Sequence, residues 1–288
     1  MNTSPQIRFV FFGSSRLSVI VLDELKELGL IPAAIGTTPD KPQGRKLVMT
    51  PNVVKTWAIE NSISCLDVAK LDDAAAAVLK EIPADVFIVA SYGKIMPARI
   101  LDIPARGSLN VHPSLLPKYR GPSPLPTAIL DDAKATGVTI MQMDAEMDHG
   151  PIVAQKPVTV NEWPVYEDFE EMMAREGARL LAGILPDWIA EKITPHEQDH
   201  SAATYTRKYT KEDGLLDLSA DPYQNFRKIQ AFHEWPQAYY FVAHRGKDIR
   251  IKVTAASFQS GKLTIEKVIP EGGREMAYAD FIQGYSHE

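Results

Sequence analysis

The sequence predicts an α/β fold: a doubly wound, mostly parallel sheet of the Rossmann-like kind, followed by a small C-terminal β-rich, barrel-like domain. Three observations predict it. Short apolar runs without polar alternation recur through the first two thirds of the chain, as strands buried on both faces require. Stretches of helical periodicity separate them, which calls for crossover connections. Past residue 207 the pattern changes to short strands broken by Arg245-Gly246 and Ser260-Gly261, an antiparallel signature.

The first run, Ile7 to Gly13, ends in glycine, and Ser14 or Ser15 can cap the helix whose apolar positions include Leu17, Val21, Leu25 and Leu28. Pro32–Thr37 reads as the second strand. Helices are expected over Val53–Asn61 and Asp72–Glu81. Ile63–Leu66 is a short strand in which Cys65 is a packed thiol. Further strands are expected at Asp85–Ala90, Gly107–Val111 and Val138–Met143, and a long helix from Tyr166 to Lys192. The polar stretch Thr194–Ala203 reads as a linker. The expected domains are 1–200, a linker ending over 201–206, and 207–288, the last with strands at Tyr239–Val242, Ile249–Val253 and Leu263–Ile265.

Composition narrows the function classes. The chain has 288 residues, 45% hydrophobic and 24% charged, which is ordinary for a globular protein. One cysteine excludes an internal disulfide and a multi-cysteine metal site. Met1–Gln6 is polar and short, no signal-type apolar h-region follows it and no apolar run approaches a membrane span, so a cytoplasmic protein is expected. The net charge of −6 argues against broad nucleic-acid binding. Residues 207–288, however, carry 12 Lys+Arg against 11 Asp+Glu, leaving 19 against 26 for the remainder, so a local basic face is possible there. Phe12-Gly13-Ser14-Ser15 has one glycine where a dinucleotide fingerprint needs three. A ligand is still expected at the carboxyl ends of the strands.

Asn110 and His112 lie two apart at a strand end, on one face. Asp148 lies in the loop after the next strong strand. Asn offers a neutral N–H, His an N–H or a proton shuttle, and Asp can orient the imidazole; together they suit acyl transfer to an amine. Alone, Asn-x-His at a strand end is more often a satisfied polar pair. His149 reads as a loop residue. His196 and His200 have metal-like spacing but no third ligand, so they read as solvated.

The longer stretch changes the weight. Ser108-Leu109-Asn110-Val111-His112-Pro113-Ser114-Leu115-Leu116-Pro117-Lys118-Tyr119-Arg120-Gly121 closely resembles the signature of the folate-dependent formyltransferases. Thr136–Asp144, running on to Asp148-His149-Gly150, resembles a second signature of that family. Thr38–Arg45 resembles its basic loop and Ala231–Pro236 a C-terminal signature, so the resemblance runs nearly end to end. It implies N10-formyltetrahydrofolate as co-substrate, no metal, and the α-amine of initiator methionyl-tRNA as acceptor. By resemblance Asn110, His112 and Asp148 are catalytic. Ser114, Leu115, Leu116 and Pro117 meet the folate, with Val89, Ser91, Tyr92 and Ala145 around the pterin. Lys41, Arg45 and Lys46 lie on a loop that meets tRNA. The acceptors left open beside methionyl-tRNA are a nucleotide-linked amino sugar and, for a non-catalytic relative, RNA that is only bound.

Overall fold

The computed structural model describes residues 7–43, 47–244 and 246–285. In chain order its elements are β1 (Phe9–Phe12), α1 (Arg16–Glu27), β2 (Ala34–Thr37), β3 (Lys41–Gln43), β4 (Val48–Thr50), α2 (Val53–Glu60), β5 (Cys65–Asp67), α3 (Asp73–Lys80), β6 (Val86–Val89), α4 (Ala98–Leu101), β7 (Ser108–His112), α5 (Pro124–Leu130), β8 (Thr136–Gln142), β9 (Ile152–Val158), α6 (Tyr166–Ile189), α7 (Pro222–Ala231), β10 (Tyr239–His244), β11 (Lys247–Gln259), β12 (Lys262–Pro270), β13 (Met276–Ala277) and α8 (Tyr278–Tyr285). They form two compact units. One comprises Met1–Pro122, Ala135–Thr159 and Glu171–Tyr205; the other comprises Ser123–Lys134, Val160–Glu170 and Thr206–Glu288.

The first unit is built on a seven-stranded sheet in the order β5-β2-β1-β6-β7-β8-β9. All four residues of β1 are fully buried, as are Val86–Ile88 of β6, so both faces of these strands are covered. Val10, Phe12, Phe87 and Val89 share one face and pack with Leu79, Ile100 and Leu101. Ser15, not Ser14, caps α1: it accepts from the Ser18 amide, and the Ser18 hydroxyl accepts from the Ser15 amide. Asn52 and Asp72 cap α2 and α3 one-sidedly, their side chains accepting from amides of the first turn. The long helix stops at Ile189 because Glu191 turns left-handed (φ 58°). The Lys192 and Glu191 amides then bond back to the carbonyls of Asp187 and Trp188.

β1, β2, β5, β6 and β7 are parallel, whereas β8 and β9 run antiparallel at one side of the sheet. The buried run Val138–Met141 looks the same in either direction; only its connection to β7 decides. β9, an edge strand, carries Pro157 where no inner strand could lose an N–H.

The second unit holds the antiparallel meander β10-β11-β12-β13. Ser260 and Gly261 are both left-handed (φ 50° and 78°), as a tight turn between β11 and β12 requires. Ile229 of α7 and Phe281 of α8 close its core over Ile251, Val253 and Val268. α7 begins with Asp221 accepting from the Tyr223 amide and Pro222 in the first turn, a start signal present in the sequence. No helix among the described residues is long and apolar enough to cross a membrane.

Candidate active site

The chain reverses its path between β1 and β6, so the crevice expected of a doubly wound sheet opens where these strands end, one strand away from β7. The loops after β1 and β6 are tied together. The Ser14 hydroxyl donates to the carbonyls of Ser91 and Tyr92 at 3.2 and 3.0 Å, and that of Ser18 to Ala90 at 2.7 Å.

Asn110 and His112 project from the same face of β7 and are both buried, 9% and 4% exposed. Asn110 pairs with Val89 on one side and Met141 on the other, and His112 pairs with Thr139. Because β8 runs antiparallel, it ends level with Leu109, and the following loop folds back over this face. Asp148 thereby reaches both side chains. Its Oδ1 accepts from Asn110 Nδ2 at 3.4 Å and lies 3.7 Å from His112 Nδ1, while its Oδ2 accepts from the Gly121 amide at 2.7 Å. Asp148 itself is left-handed (φ 51°). Two residues on, a Cβ on Gly150 would sit 2.0 Å from the Gln142 carbonyl, so only glycine lets the loop return this closely. The other ring nitrogen of His112 lies 3.0 Å from the Tyr119 carbonyl. A carbonyl only accepts, so Nε2 carries the hydrogen. The three polar side chains singled out from the sequence thus converge: a neutral amide donor, an oriented imidazole and a carboxylate held by backbone.

Ser114 to Pro117 runs across the same face. The Ser114 hydroxyl donates to the Lys118 carbonyl at 2.7 Å, and the Ser114 carbonyl accepts from the Thr139 hydroxyl at 2.6 Å. Thr139 Oγ1 also accepts from the Leu116 amide, and Gln155 Nε2 donates to both Thr139 Oγ1 and the Leu116 carbonyl. Thr139 and Gln155 therefore shape this segment, a role not read from the sequence. Leu115 is half-buried, Leu116 buried, and the bond from Leu116 to Pro117 is cis. Val89 and Tyr92 are buried at the end of β6, and Ser91 is exposed and left-handed (φ 49°). Burial pushes the Tyr92 hydroxyl up to about 12, and among the described residues it has no hydrogen-bond partner. Ala145 is exposed on the Asp148 loop. Lys41 is exposed at the start of β3; Arg45 and Lys46 lie outside the described residues.

Cys65 is half-buried, and that burial pushes its thiol up, as suits packing rather than nucleophilic work. His196 and His200 are exposed, but their stretch is no free linker. His196 exchanges backbone hydrogen bonds with Ile152, and the His200 ring stacks on His149 at 4.1 Å. His149 in turn binds Asp144 at 2.7 Å. In the second unit His233, from the C-terminal signature, bridges the Glu167 carboxylate at 2.8 Å and the Thr254 carbonyl at 3.1 Å, a structural duty.

Residues 7–185 match the formyl transferase family. The methionyl-tRNA formyltransferase of Chloroflexus aggregans is 38% identical over 264 residues, covering 91% of this chain and 85% of that protein. Among solved structures, the methionyl-tRNA formyltransferase from Clostridium thermocellum superposes with a TM-score of 0.62 at 14% identity, covering 94% of this chain and 99% of that one. HypX from Aquifex aeolicus, in complex with tetrahydrofolic acid, superposes with a TM-score of 0.67 at 15% identity over 96% of this chain and 47% of that one. With its signature residues gathered on β7 and its match running over most of its length, the chain belongs to the formyl transferase family.

Proposed function

We propose that this protein transfers the formyl group of N10-formyltetrahydrofolate to the α-amine of initiator methionyl-tRNA, in the cytosol. The observation that carries the reading is the convergence of Asn110, His112 and Asp148 on one buried face of β7 in a chain 38% identical to a methionyl-tRNA formyltransferase. The amine of an aminoacyl ester is a weak enough base to be partly neutral near pH 7, and it attacks the formyl carbon directly. Asn110 Nδ2 and the His112 ring stabilise the oxyanion that forms, each such donor being worth about 3 kcal/mol. Asp148 orients His112 and assists the proton on its way from the attacking nitrogen to the departing N10. Ser114 to Pro117 take the folate, with Val89 to Tyr92 and Ala145 around the pterin. The first unit performs transfer; the second, with Lys41, Arg45 and Lys46 of the first, contributes to holding tRNA.

Formyl release from N10-formyltetrahydrofolate, measured with and without charged initiator tRNA, tests the reading. Release that depends on methionyl-tRNA and yields formylmethionyl-tRNA is expected. Release that needs instead a nucleotide-linked amino sugar, or no release with either acceptor, would refute it.

A further inference from the structure

The carboxylate of Asp148 is held by the backbone amide of Gly121, and the residue before that glycine, Arg120, is the most buried charged side chain among the described residues of the first unit, 1% exposed. The Arg120 guanidinium reaches Gln198. Its Nε and one terminal nitrogen donate to Gln198 Oε1 at 3.2 and 2.7 Å. The Gln198 amide nitrogen then donates to the carbonyls of Asp148 and Gly150, at 3.0 and 2.7 Å. A closed circuit results: Asp148 carboxylate, Gly121 amide, Arg120 guanidinium, Gln198 side chain, and back to the Asp148 carbonyl. Gln198 is itself 4% exposed, and every polar atom of its amide is engaged in this circuit.

The same stretch of chain grips the turn that touches His112. Thr204 accepts from the Tyr119 amide through its hydroxyl, at 2.8 Å, and from the Arg120 amide through its carbonyl, at 2.9 Å. His200 Nδ1 accepts from Arg120 at 2.9 Å, and the Tyr205 hydroxyl from another guanidinium nitrogen at 3.3 Å. Residues 198–205 therefore act as a strap over Tyr119–Gly121, the turn that supplies one contact to His112 and another to Asp148.

We propose that Arg120 and Gln198 are positioning residues for formyl transfer, fixing the Asp148 carboxylate against Asn110 and His112 without touching the reactants. The proposal rests on the function read above. A left-handed aspartate has to be held by its surroundings, and Gln198 holds it at the two carbonyls that flank His149 while Gly121 holds it at the carboxylate. Small displacements of a reacting constellation cost rate steeply, about a hundredfold for 1 Å.

The test combines a double-mutant cycle with amide exchange. Single-turnover formyl transfer to methionyl-tRNA is measured for Gln198→Ala, Asp148→Asn and the double variant, and hydrogen exchange is followed at the Gly121 amide. Gln198→Ala is expected to slow transfer about a hundredfold with KM for methionyl-tRNA unchanged. It should also speed exchange at Gly121, and add almost nothing to the loss already present in Asp148→Asn. Gln198→Met, which fills the same space without polar atoms, is expected to repeat the pattern and stands in if the alanine variant does not fold. Gln198→Glu keeps an acceptor for Arg120 but turns an oxygen toward the two carbonyls, and should not rescue. Losses that simply multiply in the double variant, or a Gly121 amide that exchanges as in the wild type, would overturn the proposal. A wild-type chain that transfers no formyl group would refute the function instead, and the Gly121 exchange would still decide this point.

Discussion

Asp148 and Tyr92 show two opposite ways of burying an oxygen near the same crevice. The Asp148 carboxylate has a backbone amide on one oxygen and Asn110 and His112 on the other. Asp148→Asn is expected to leave tetrahydrofolate affinity within a small factor and to lower the single-turnover rate by orders of magnitude, because an amide orients the imidazole poorly. Equal losses of affinity and rate would assign Asp148 a structural role. The Tyr92 hydroxyl, by contrast, is buried with no partner among the described residues, and a lone buried hydroxyl costs stability. Tyr92→Phe should raise the denaturation midpoint by the equivalent of about 1 kcal/mol while folate affinity holds, since Ser91 and Tyr92 present their backbone to the Ser14 side of the crevice. A fall in stability would mean that the hydroxyl is satisfied. At this scale the spacing of Asn110 and His112 was legible because strand alternation alone sets their common face. Gln198 was not: nothing in a polar stretch distinguishes the one amide that turns inward from neighbours that stay in water.

At the scale of elements, β7 is placed from both sides, and α6 covers it through a glycine. A Cβ at Gly177 would meet Val111 Cγ1 at 2.5 Å, so the helix packs its bare backbone directly on the Val111 side chain. Gly177→Val should lower stability by about 1–3 kcal/mol through overpacking, read as a shifted urea midpoint at unchanged slope. An unshifted midpoint would show that α6 can move away without cost. The strand positions could be read from apolar runs, but the direction of β8 could not, because a run buried on both faces carries no record of its polarity. β9 escaped notice for a related reason: its Gln155-Lys156-Pro157 looks like loop, and an edge strand tolerates it. α7 was not read from the sequence, although Asp221-Pro222 is a helix start signal, because its apolar positions are few.

Across the whole molecule, several carboxylates answer to cations. Burial alone would raise the Glu24 carboxyl, but hydrogen bonds from Arg175 and Arg179 hold it below the ordinary range. Arg8 holds Asp85 down, and Arg207 does the same for Asp213 in the second unit. Asp132, raised by burial, is lowered by Lys134, Trp163 and Tyr223. All four are depressed in the folded state. Their contribution is complete above the unfolded carboxylate range, near pH 4, and is lost as pH falls through the lower folded values. The melting temperature should therefore stay level from about pH 7 to 5 and drop below about pH 4. A melting temperature that holds or rises on acidification would contradict this. The change of pattern near residue 207 suggests a division of the chain there, whereas nothing in Ser123–Lys134 or Val160–Glu170, which belong to the second unit, reads differently from the rest of residues 1–200.

Those internal segments bear on how such a protein can be taken apart or recombined. α6 gives Tyr166–Glu170 to one unit and Glu171–Ile189 to the other. Asp132 and Trp163, which bond Tyr223 and Gln230, reach the second unit from far upstream of residue 206. A protease nick near Tyr205 would leave the released tail without these partners. A chimera with a related enzyme, spliced at that single point, would mismatch Asp132, Trp163 and Glu167 against foreign neighbours. Exchange of the second unit between relatives has to carry three stretches of gene together, so its inheritance is bound to that of the first unit.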